Sequence, residues 1–132
     1  MPSEPDWLDP EQIARLNQLV VSATGEPYSV LKPNELESAC FRPRKLWHYE
    51  GECDIAALAA RLMMAIACAH AFEQGNKRTG FIAATIFLDA NGWLLGIGDY
   101  DDVAEQIIAA IEDHSLEGAL VQLFREHLVE AA

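Results

Sequence analysis

The chain has 132 residues, about half of them apolar, and a formal net charge of −12 from 21 acidic and 9 basic side chains. This length and apolar content predict one globular domain over residues 1–132 and argue against a disordered chain. The acidic excess argues against general binding to nucleic acid or anionic lipid, whose phosphates attract clustered Lys and Arg. We therefore expect neither direct nucleic-acid binding nor membrane binding.

Targeting and redox features point to the cytoplasm. Residues 1–6 contain neither a basic nor an apolar segment, so no signal peptide is expected. The apolar runs 62–69 and 81–88 are much shorter than the roughly 18–20 residues that span a bilayer. The three cysteines, Cys40, Cys53 and Cys68, are odd in number and widely spaced, which argues against a disulfide framework or a zinc site.

The first predicted helix begins at a capping signal. Asp9 is suited to the N-cap, Pro10 to the first turn and Gln12 to the third position of a capping box. Gly25 is a plausible end of this helix. Its predicted apolar face consists of Ile13, Leu16, Leu19 and Val20.

The next segment is predicted to be helical only in part. Pro33 predicts the start of a short helix that ends at Ala39 or Cys40. Residues 41–53 include Pro43, Gly51 and several aromatics, and this composition favours a loop or a small hairpin.

Two strongly apolar helices follow. The first is capped by Asp54 and runs to about His70, and Arg61 is its one charged residue between positions 55 and 69. The second carries only Asp89 as a charge between Thr79 and Ala90 and ends at Asn91-Gly92. Helices that are apolar on nearly all sides belong in the middle of a bundle.

The C-terminal part predicts two more helices. Asp99, Asp101 and Asp102 favour a helix N-terminus, and Ser115 is suited to cap a last helix that includes Leu128. No long strand is predicted. The expected class is all-α, with about six helices packed compactly around the two hydrophobic central ones.

Residues 70–79 carry the clearest chemical signal. Gly75 and the following helix start, with Lys77 and Arg78, are suited to bind the anionic phosphates of a nucleotide. Histidine exchanges protons near neutral pH, so His70 is a fitting base for a hydroxyl nucleophile. A base next to a phosphate site predicts transfer from a nucleotide to a hydroxyl, although a capping histidine and a solvated turn would also fit these residues.

The pattern His-x-Phe-x-x-Gly-Asn-Lys-Arg-Thr at residues 70–79 resembles the motif of the Fic/Doc family in its Doc (death-on-curing) form. The resemblance extends over residues 8–128 through Asn34–Ala39, Pro43, the Tyr49-Glu50-Gly51 turn and Asn91-Gly92. It implies a Fic-type helical fold, with residues 41–53 as a flap, and a toxin of a type II toxin–antitoxin system.

The resemblance also implies roles for individual residues. His70 would be the catalytic base, and Phe72 would be a core anchor that holds the loop. Gly75, Asn76 and Arg78 would shape the anion hole and hold nucleotide phosphates, with Arg78 also counted among the catalytic residues.

Lys77 is the position that separates two reactions within the family. Fic adenylyltransferases usually have glycine here, whereas Doc toxins have lysine, which is associated with a different nucleotide placement. The resemblance therefore implies that Lys77 is catalytic and that the γ-phosphate of ATP, or of another nucleoside triphosphate, is transferred. The implied target is a threonine of translation elongation factor Tu, so that protein synthesis stops. The alternative is a Fic-type adenylyltransferase, which transfers AMP instead.

Gln74 departs from the family pattern. Family members usually have Asp or Glu here, which contacts the Mg²⁺ that bridges the phosphates, and in this chain the acid is one residue earlier, at Glu73. An amide oxygen binds Mg²⁺ more weakly than a carboxylate does. Gln74 is thus the expected metal contact, and a catalytically inert binding module with the Fic fold is a second alternative.

Two partners are expected besides the nucleotide. The resemblance implies a cognate antitoxin that acts in trans, and a protein target aligned by the flap. Trp47 and Tyr49 would suit peptide docking there, and Arg42, Arg44 and Lys45 would suit an acidic partner.

Overall fold

The computed structural model describes residues 2–131 and has six α-helices and two short strands in that range. The elements are α1 (Pro10–Thr24), α2 (Pro33–Glu50), α3 (Ile55–Ala69), α4 (Asn76–Ala90), β1 (Trp93–Leu95), α5 (Tyr100–Glu112), α6 (Glu117–Glu126) and β2 (Leu128–Glu130). The predicted all-α class and the number of helices are confirmed.

Helices α3 and α4 form the centre of the molecule, as the sequence predicts. Most residues of α3 are buried, because it packs against α2, α4 and α6. A Cβ atom added to Gly80 of α4 would lie only 2.7 Å from the backbone oxygen of Met63 in α3. The absence of a side chain at Gly80 therefore lets the two backbones come this close.

Helix α1 begins and ends where its capping signals predict. The N–H of Gln12 donates to Asp9 Oδ1 and the N–H of Asp9 donates to Gln12 Oε1, both at 2.8 Å. Gly25 ends the helix with a φ of 73°. The predicted apolar face is wrong at Leu19, which is 69% exposed, and Asn17 is a buried member of the face instead.

Helix α2 corrects the prediction for residues 41–53. The helix does not stop at Ala39 or Cys40 but continues to Glu50, so only the residues from Gly51 to the start of α3 form a loop and no hairpin flap is present there. Pro43 lies inside this helix. The helix continues past the proline because its buried residues recur with helical spacing and the helix packs against α3. These buried residues are Leu36, Ala39, Cys40, Pro43 and Leu46.

The proposed role of residues 41–53 in docking a partner changes with this geometry. The Arg44 guanidinium lies over the rings of Trp7 and Phe41, 5.8 Å and 4.8 Å from their centres. Trp47 is half-buried against the core, whereas Tyr49 is 85% exposed. Arg44 and Trp47 thus contribute to packing on a helix rather than lining a mobile flap.

The C-terminal part differs from the prediction in two details. Ser115 does not cap the last helix, because the N-cap of α6 is Leu116 and no side chain caps that helix. Asp113 instead caps a short 3-10 turn over residues 114–116, where its Oδ1 accepts from the N–H of Ser115. Leu128 lies in strand β2 rather than in the last helix. Strands β1 and β2 pair antiparallel, with Leu95 opposite Leu128.

No helix within residues 2–131 combines the length and apolarity needed to cross a membrane. The three cysteines are free thiols: Cys40 is buried, Cys53 exposed and Cys68 half-buried. Burial raises the pKa of the Cys40 thiol to about 12.

Candidate active site

His70 directly follows α3 and ends that helix in the left-handed backbone conformation, with a φ of 50° and a ψ of 40°. Within residues 2–131 it is the one non-glycine residue with a positive φ. This conformation costs a residue with a side chain about 1–2 kcal/mol, and such strain is concentrated at functional sites. The residue is exposed, so its imidazole is accessible to a substrate.

The loop after His70 is tied to the segment that precedes α2. The carbonyl of Ala71 accepts from the N–H groups of Leu31 and Lys32 at 2.7 and 3.1 Å. The N–H of Glu73 donates to the carbonyl of Ser29 at 3.0 Å. These bonds hold the loop backbone beside a part of the chain about 40 residues away in sequence.

Phe72 and Asn76 fix the loop from inside. Phe72 is 2% exposed, which confirms its predicted role as a buried anchor. The N–H of Phe72 donates to Asn76 Oδ1 at 3.0 Å, and Asn76 Nδ2 donates to the carbonyl of Phe72 at 2.9 Å. The Asn76 side chain therefore holds the loop in place through both of its polar groups. Only the backbone N–H of Asn76 would be free to bind a phosphate.

The N-terminus of α4 is open. Its first backbone hydrogen bond runs from the N–H of Thr79 to the carbonyl of Gly75 at 2.9 Å, and no side chain caps the helix. The N–H groups of Asn76, Lys77 and Arg78 therefore have no backbone acceptor within the described residues. Free N–H groups at the positive end of the helix dipole favour an anion.

Gly75 makes this helix start possible. Its φ is 75°, and an added Cβ would lie 3.3 Å from Asn17 Nδ2, Val20 Cγ1 and Val21 Cγ1. A side chain would thus be strained by the backbone and crowded by α1. The positive φ and the close packing against α1 together explain why residue 75 of the motif is a glycine.

Lys77 lies in the first turn of α4, close enough to the end of α3 for its charge to act on Cys68. It is half-buried, and its charge acts on the thiol of Cys68. Burial raises the pKa of Cys68, Glu117 acts in the same direction, and the positive charges of Arg42 and Lys77 act against them. Lys77 makes no ion pair with the described residues. Its ammonium charge is consequently available to an anionic ligand.

Arg78 has protein partners on α5. Its Nη2 atom lies 3.3 Å from Asp101 Oδ1, and its guanidinium lies 4.8 Å from the centre of the Tyr100 ring. Burial raises the pKa of Tyr100, and the positive charge of Arg78 partly opposes this shift. A phosphate would have to compete with Asp101 for the side chain of Arg78, whereas the N–H of Arg78 stays free.

Gln74 is the residue expected at a metal ion, and its side chain is exposed. Within residues 2–131 no group of three or more His, Cys, Asp or Glu side chains could hold a metal. The Gln74 amide oxygen is a donor of the type that Mg²⁺ accepts. The side chain of Gln74 would therefore suit a Mg²⁺ ion as one oxygen donor.

A polar cleft of about 390 Å³ borders the motif between α2, α3 and the start of α6. Ala69, the residue before His70, lines it together with Cys68 and His114, whose Sγ and Nε2 atoms are 3.8 Å apart. Arg61 pairs with Glu117 across it at 3.1 Å. This volume falls within the range of small-molecule pockets.

The sequence model of the Fic/DOC family matches residues 7–88, which include α1 to α3, the motif and most of α4. The chain belongs to this family. It is also similar to "Protein kinase doc" of Escherichia phage P1, with 27% identity over 103 residues that cover 78% of this chain and 80% of that protein. The family membership confirms the resemblance that the motif indicated.

Three residues near the Fic/Doc motif were missed by the sequence analysis: Asn17, Tyr100 and Asp101. Asn17 donates to the carbonyl of Gln74 at 2.8 Å and to Thr79 Oγ1 at 3.1 Å. Its signal in the sequence is a polar residue four positions after Ile13, on the buried face of α1. Tyr100 and Asp101 had no comparable signal, since their relevance depends on α5 packing beside Arg78.

Proposed function

We propose that this protein is a Doc-type toxin of a type II toxin–antitoxin system. It transfers the γ-phosphate of ATP, or of another nucleoside triphosphate, to a Ser or Thr hydroxyl of a translation factor, with elongation factor Tu as the target. Family membership and the name of the phage P1 relative support this proposal. The location of the enzyme would be cytoplasmic, where its nucleotide and target are found.

One structural observation carries the proposal. An exposed, backbone-strained histidine at the end of α3 is joined by the short loop 71–75 to the open N-terminus of α4. A proton acceptor and a helix end suited to an anion are thus held close together in the chain by the two central helices. Enzymes that transfer phosphoryl groups depend mainly on such positioning and on electrostatic stabilisation.

In the proposed reaction, the imidazole of His70 takes the proton of the target hydroxyl. The hydroxyl oxygen forms a bond to the γ-phosphorus, the bond between this phosphorus and the β–γ bridging oxygen breaks, and ADP leaves. The free N–H groups at the start of α4 and the ammonium group of Lys77 stabilise the negative charge on the phosphate oxygens. Arg78 adds a guanidinium charge at the edge of the same site.

Lys77 favours phosphoryl transfer over AMP transfer in this proposal. Its side chain occupies space at the helix start that glycine leaves open in Fic adenylyltransferases. Its positive charge, which also acts on Cys68 two residues before His70, would attract the distal, most highly charged phosphates.

Gln74 takes part through the Mg²⁺ that accompanies ATP as co-substrate. When bound, this ion neutralises charge on the phosphates. Gln74 would offer its amide oxygen to the ion, and the other ligands would come from phosphate and water. We propose an active enzyme on this basis, with weaker metal binding than a carboxylate would give.

The proposal includes a cognate antitoxin that neutralises the toxin in trans. Its support is the Doc resemblance and the family membership. A growth assay tests this part: expression of the toxin should slow growth, and co-expression of a cognate antitoxin should restore it.

A transfer assay with two labels tests the enzymatic proposal. The protein is incubated with Mg²⁺, elongation factor Tu and ATP labelled at either the γ- or the α-phosphate. Label from the γ-phosphate on the factor, absent with His70→Ala, is expected. Retention of the α-label would instead identify an adenylyltransferase. If neither label is transferred by the native protein or by Gln74→Glu, both enzyme readings fail and the inert binding module remains.

A further inference from the structure

Asn17 of α1 is a polar residue in an apolar setting. It is fully buried, with 0% of its surface exposed, alongside Ile13, Val20 and Val21 on the same helix. Its Oδ1 atom is buried and has no hydrogen-bond partner within the described residues. An unpaired buried polar atom is unfavourable, so apolar packing alone does not account for an asparagine at this position.

The amide group of Asn17 holds both sides of the motif loop. Its Nδ2 atom donates to the carbonyl of Gln74 at 2.8 Å and to Thr79 Oγ1 at 3.1 Å. Gln74 is the loop residue two positions before α4, and Thr79 lies in the first turn of α4. One side chain thus fixes the last part of the loop relative to the start of the helix.

The bond to Gln74 also determines where a backbone donor points. Peptide groups are planar, and none of the described ones is cis, so the C=O of Gln74 and the N–H of Gly75 point in opposite directions. Since the carbonyl faces Asn17 in the core, the N–H of Gly75 faces away from α1. This N–H has no backbone acceptor within the described residues and adds to the free N–H groups of α4.

Asn17 also packs directly against Gly75. A Cβ atom on Gly75 would lie 3.3 Å from Asn17 Nδ2, so the loop rests directly on this side chain. The contact sets how deep the loop sits against α1. A small displacement there moves every donor of the anion site, and displacements of this kind lower the rate of enzymes strongly.

From these contacts we infer that Asn17 is a positioning residue for the nucleotide phosphates. It sets the direction of the Gly75 N–H and the angle between the loop and α4, and it touches neither substrate. This inference rests on the proposed function, because that function places the phosphates at the start of α4.

The test compares Asn17→Asp, which keeps the size of the side chain, with one variant of its partner Thr79 and one control on α1. Asn17→Asp replaces the donating Nδ2 with an oxygen that repels the Gln74 carbonyl, and Thr79→Val removes only the bond to Thr79. Ile13→Val, in a fully buried residue of the same helix away from the loop, serves as the control for lost stability. The measurements are the melting temperature, the Kd of Mg²⁺–ATP and of inorganic tripolyphosphate by calorimetry, and kcat and KM in the transfer assay.

We expect Asn17→Asp to raise the Kd of both ligands about 10-fold or more. Thr79→Val should raise them about 3-fold, because the Gln74 bond remains, and Ile13→Val should leave them unchanged while lowering the melting temperature. The inference is overturned if Asn17→Asp binds both ligands as Ile13→Val does. Should Asn17→Asp fail to fold, Thr79→Val decides, and a Kd equal to that of the native protein overturns the inference.

The same experiment separates this inference from the proposed function. Transfer by the native protein together with unchanged binding by the variants contradicts the inference alone. Tripolyphosphate binding that depends on Asn17, with no transfer of label, contradicts the function and supports the inference. If the native protein binds neither ligand, both are wrong.

Discussion

The N-termini of α4 and α5 lie side by side and are built in opposite ways. At α5, the carboxylate of Asp99 accepts from the N–H of Asp101 at 3.0 Å, and Asp102 accepts from the N–H of Asp99 at 2.9 Å. At α4, the cap is Gly75, which has no side chain to offer. The chain thus satisfies the α5 N-terminus internally and leaves the α4 N-terminus, which carries Lys77 and Arg78, without a capping side chain, an arrangement that favours an anion.

A single ion pair joins the two helix ends. Arg78 in the first turn of α4 contacts Asp101 in the first turn of α5. Asp101 at the start of α5 therefore pairs with one of the two cations that, under the proposed function, would bind a phosphate.

The largest effect on the transfer rate is expected from His70, the proposed base near the open N-terminus of α4. His70→Ala removes the proton acceptor and should lower the rate of transfer by about 10²–10⁴-fold, the usual contribution of a general base. It should leave ATP binding nearly unchanged, because the N–H groups of α4 remain. Label transfer and calorimetry measure the two effects.

His48→Ala is the matched control for that substitution. His48 is an exposed histidine on α2 that lies 3.2 Å from Glu4 and far along the chain from the motif. Its loss should leave transfer unchanged. Equal activity of His70→Ala and His48→Ala would rule out His70 as the base.

The second effect concerns the glycine that opens α4. Gly75→Ala should lower the free energy of unfolding by about 2–3 kcal/mol, from left-handed strain and from crowding against α1, and should weaken ATP binding. Gly25→Ala has nearly the same φ, 73°, but no atom within 4 Å of the added Cβ. This control should cost only the strain, about 1–2 kcal/mol, with normal ATP binding. Chemical denaturation and calorimetry check both variants, and equal effects would show that α1 does not constrain the loop.

A smaller loss of stability is expected from a change at the capped N-terminus of α5. Asp99→Ala removes the capping box of α5 and should lower the free energy of unfolding by about 1 kcal/mol. ATP binding should stay within about two-fold, since no phosphate is placed at this end. A loss of ATP binding as large as that of Gly75→Ala would mean that the two helix ends are not functionally distinct.

The smallest effect should come from the contact between the ends. Asp101→Asn keeps the size of the side chain but removes the charge that competes for Arg78. Exposed ion pairs contribute only about 0.2–1 kcal/mol, so stability should change little. ATP should bind up to about three-fold more tightly at low salt, and the gain should fade as salt is added. Weaker binding would indicate that Asp101 orients Arg78 instead of competing for it.

Local signals in the sequence predicted those parts of the fold that local contacts determine. The capping box of Asp9 and Gln12 and the stop at Gly25 involve neighbours within a few residues, and both are confirmed. The length of α2 was not predictable in this way. Pro43 reads as a helix breaker, and its tolerance depends on packing against α3, which no nearby residue reports.

The same distinction between local and distant contacts applies to the candidate site. The motif itself identified His70 and the α4 start, because its residues are contiguous. The contact between Asn17 and Gln74 spans 57 positions, and that between Arg78 and Asp101 spans 23. Such pairs depend on how the helices pack, so the sequence pattern could not reveal them.

The most direct test of the account follows the backbone amides by NMR while Mg²⁺–ATP is added to the His70→Ala protein, in which turnover is blocked. The largest shifts are expected at the amides of residues 75–78, with smaller shifts at the start of α5. Largest shifts at the start of α5, or at another part of the chain, would contradict the placement of the phosphates at the open end of α4.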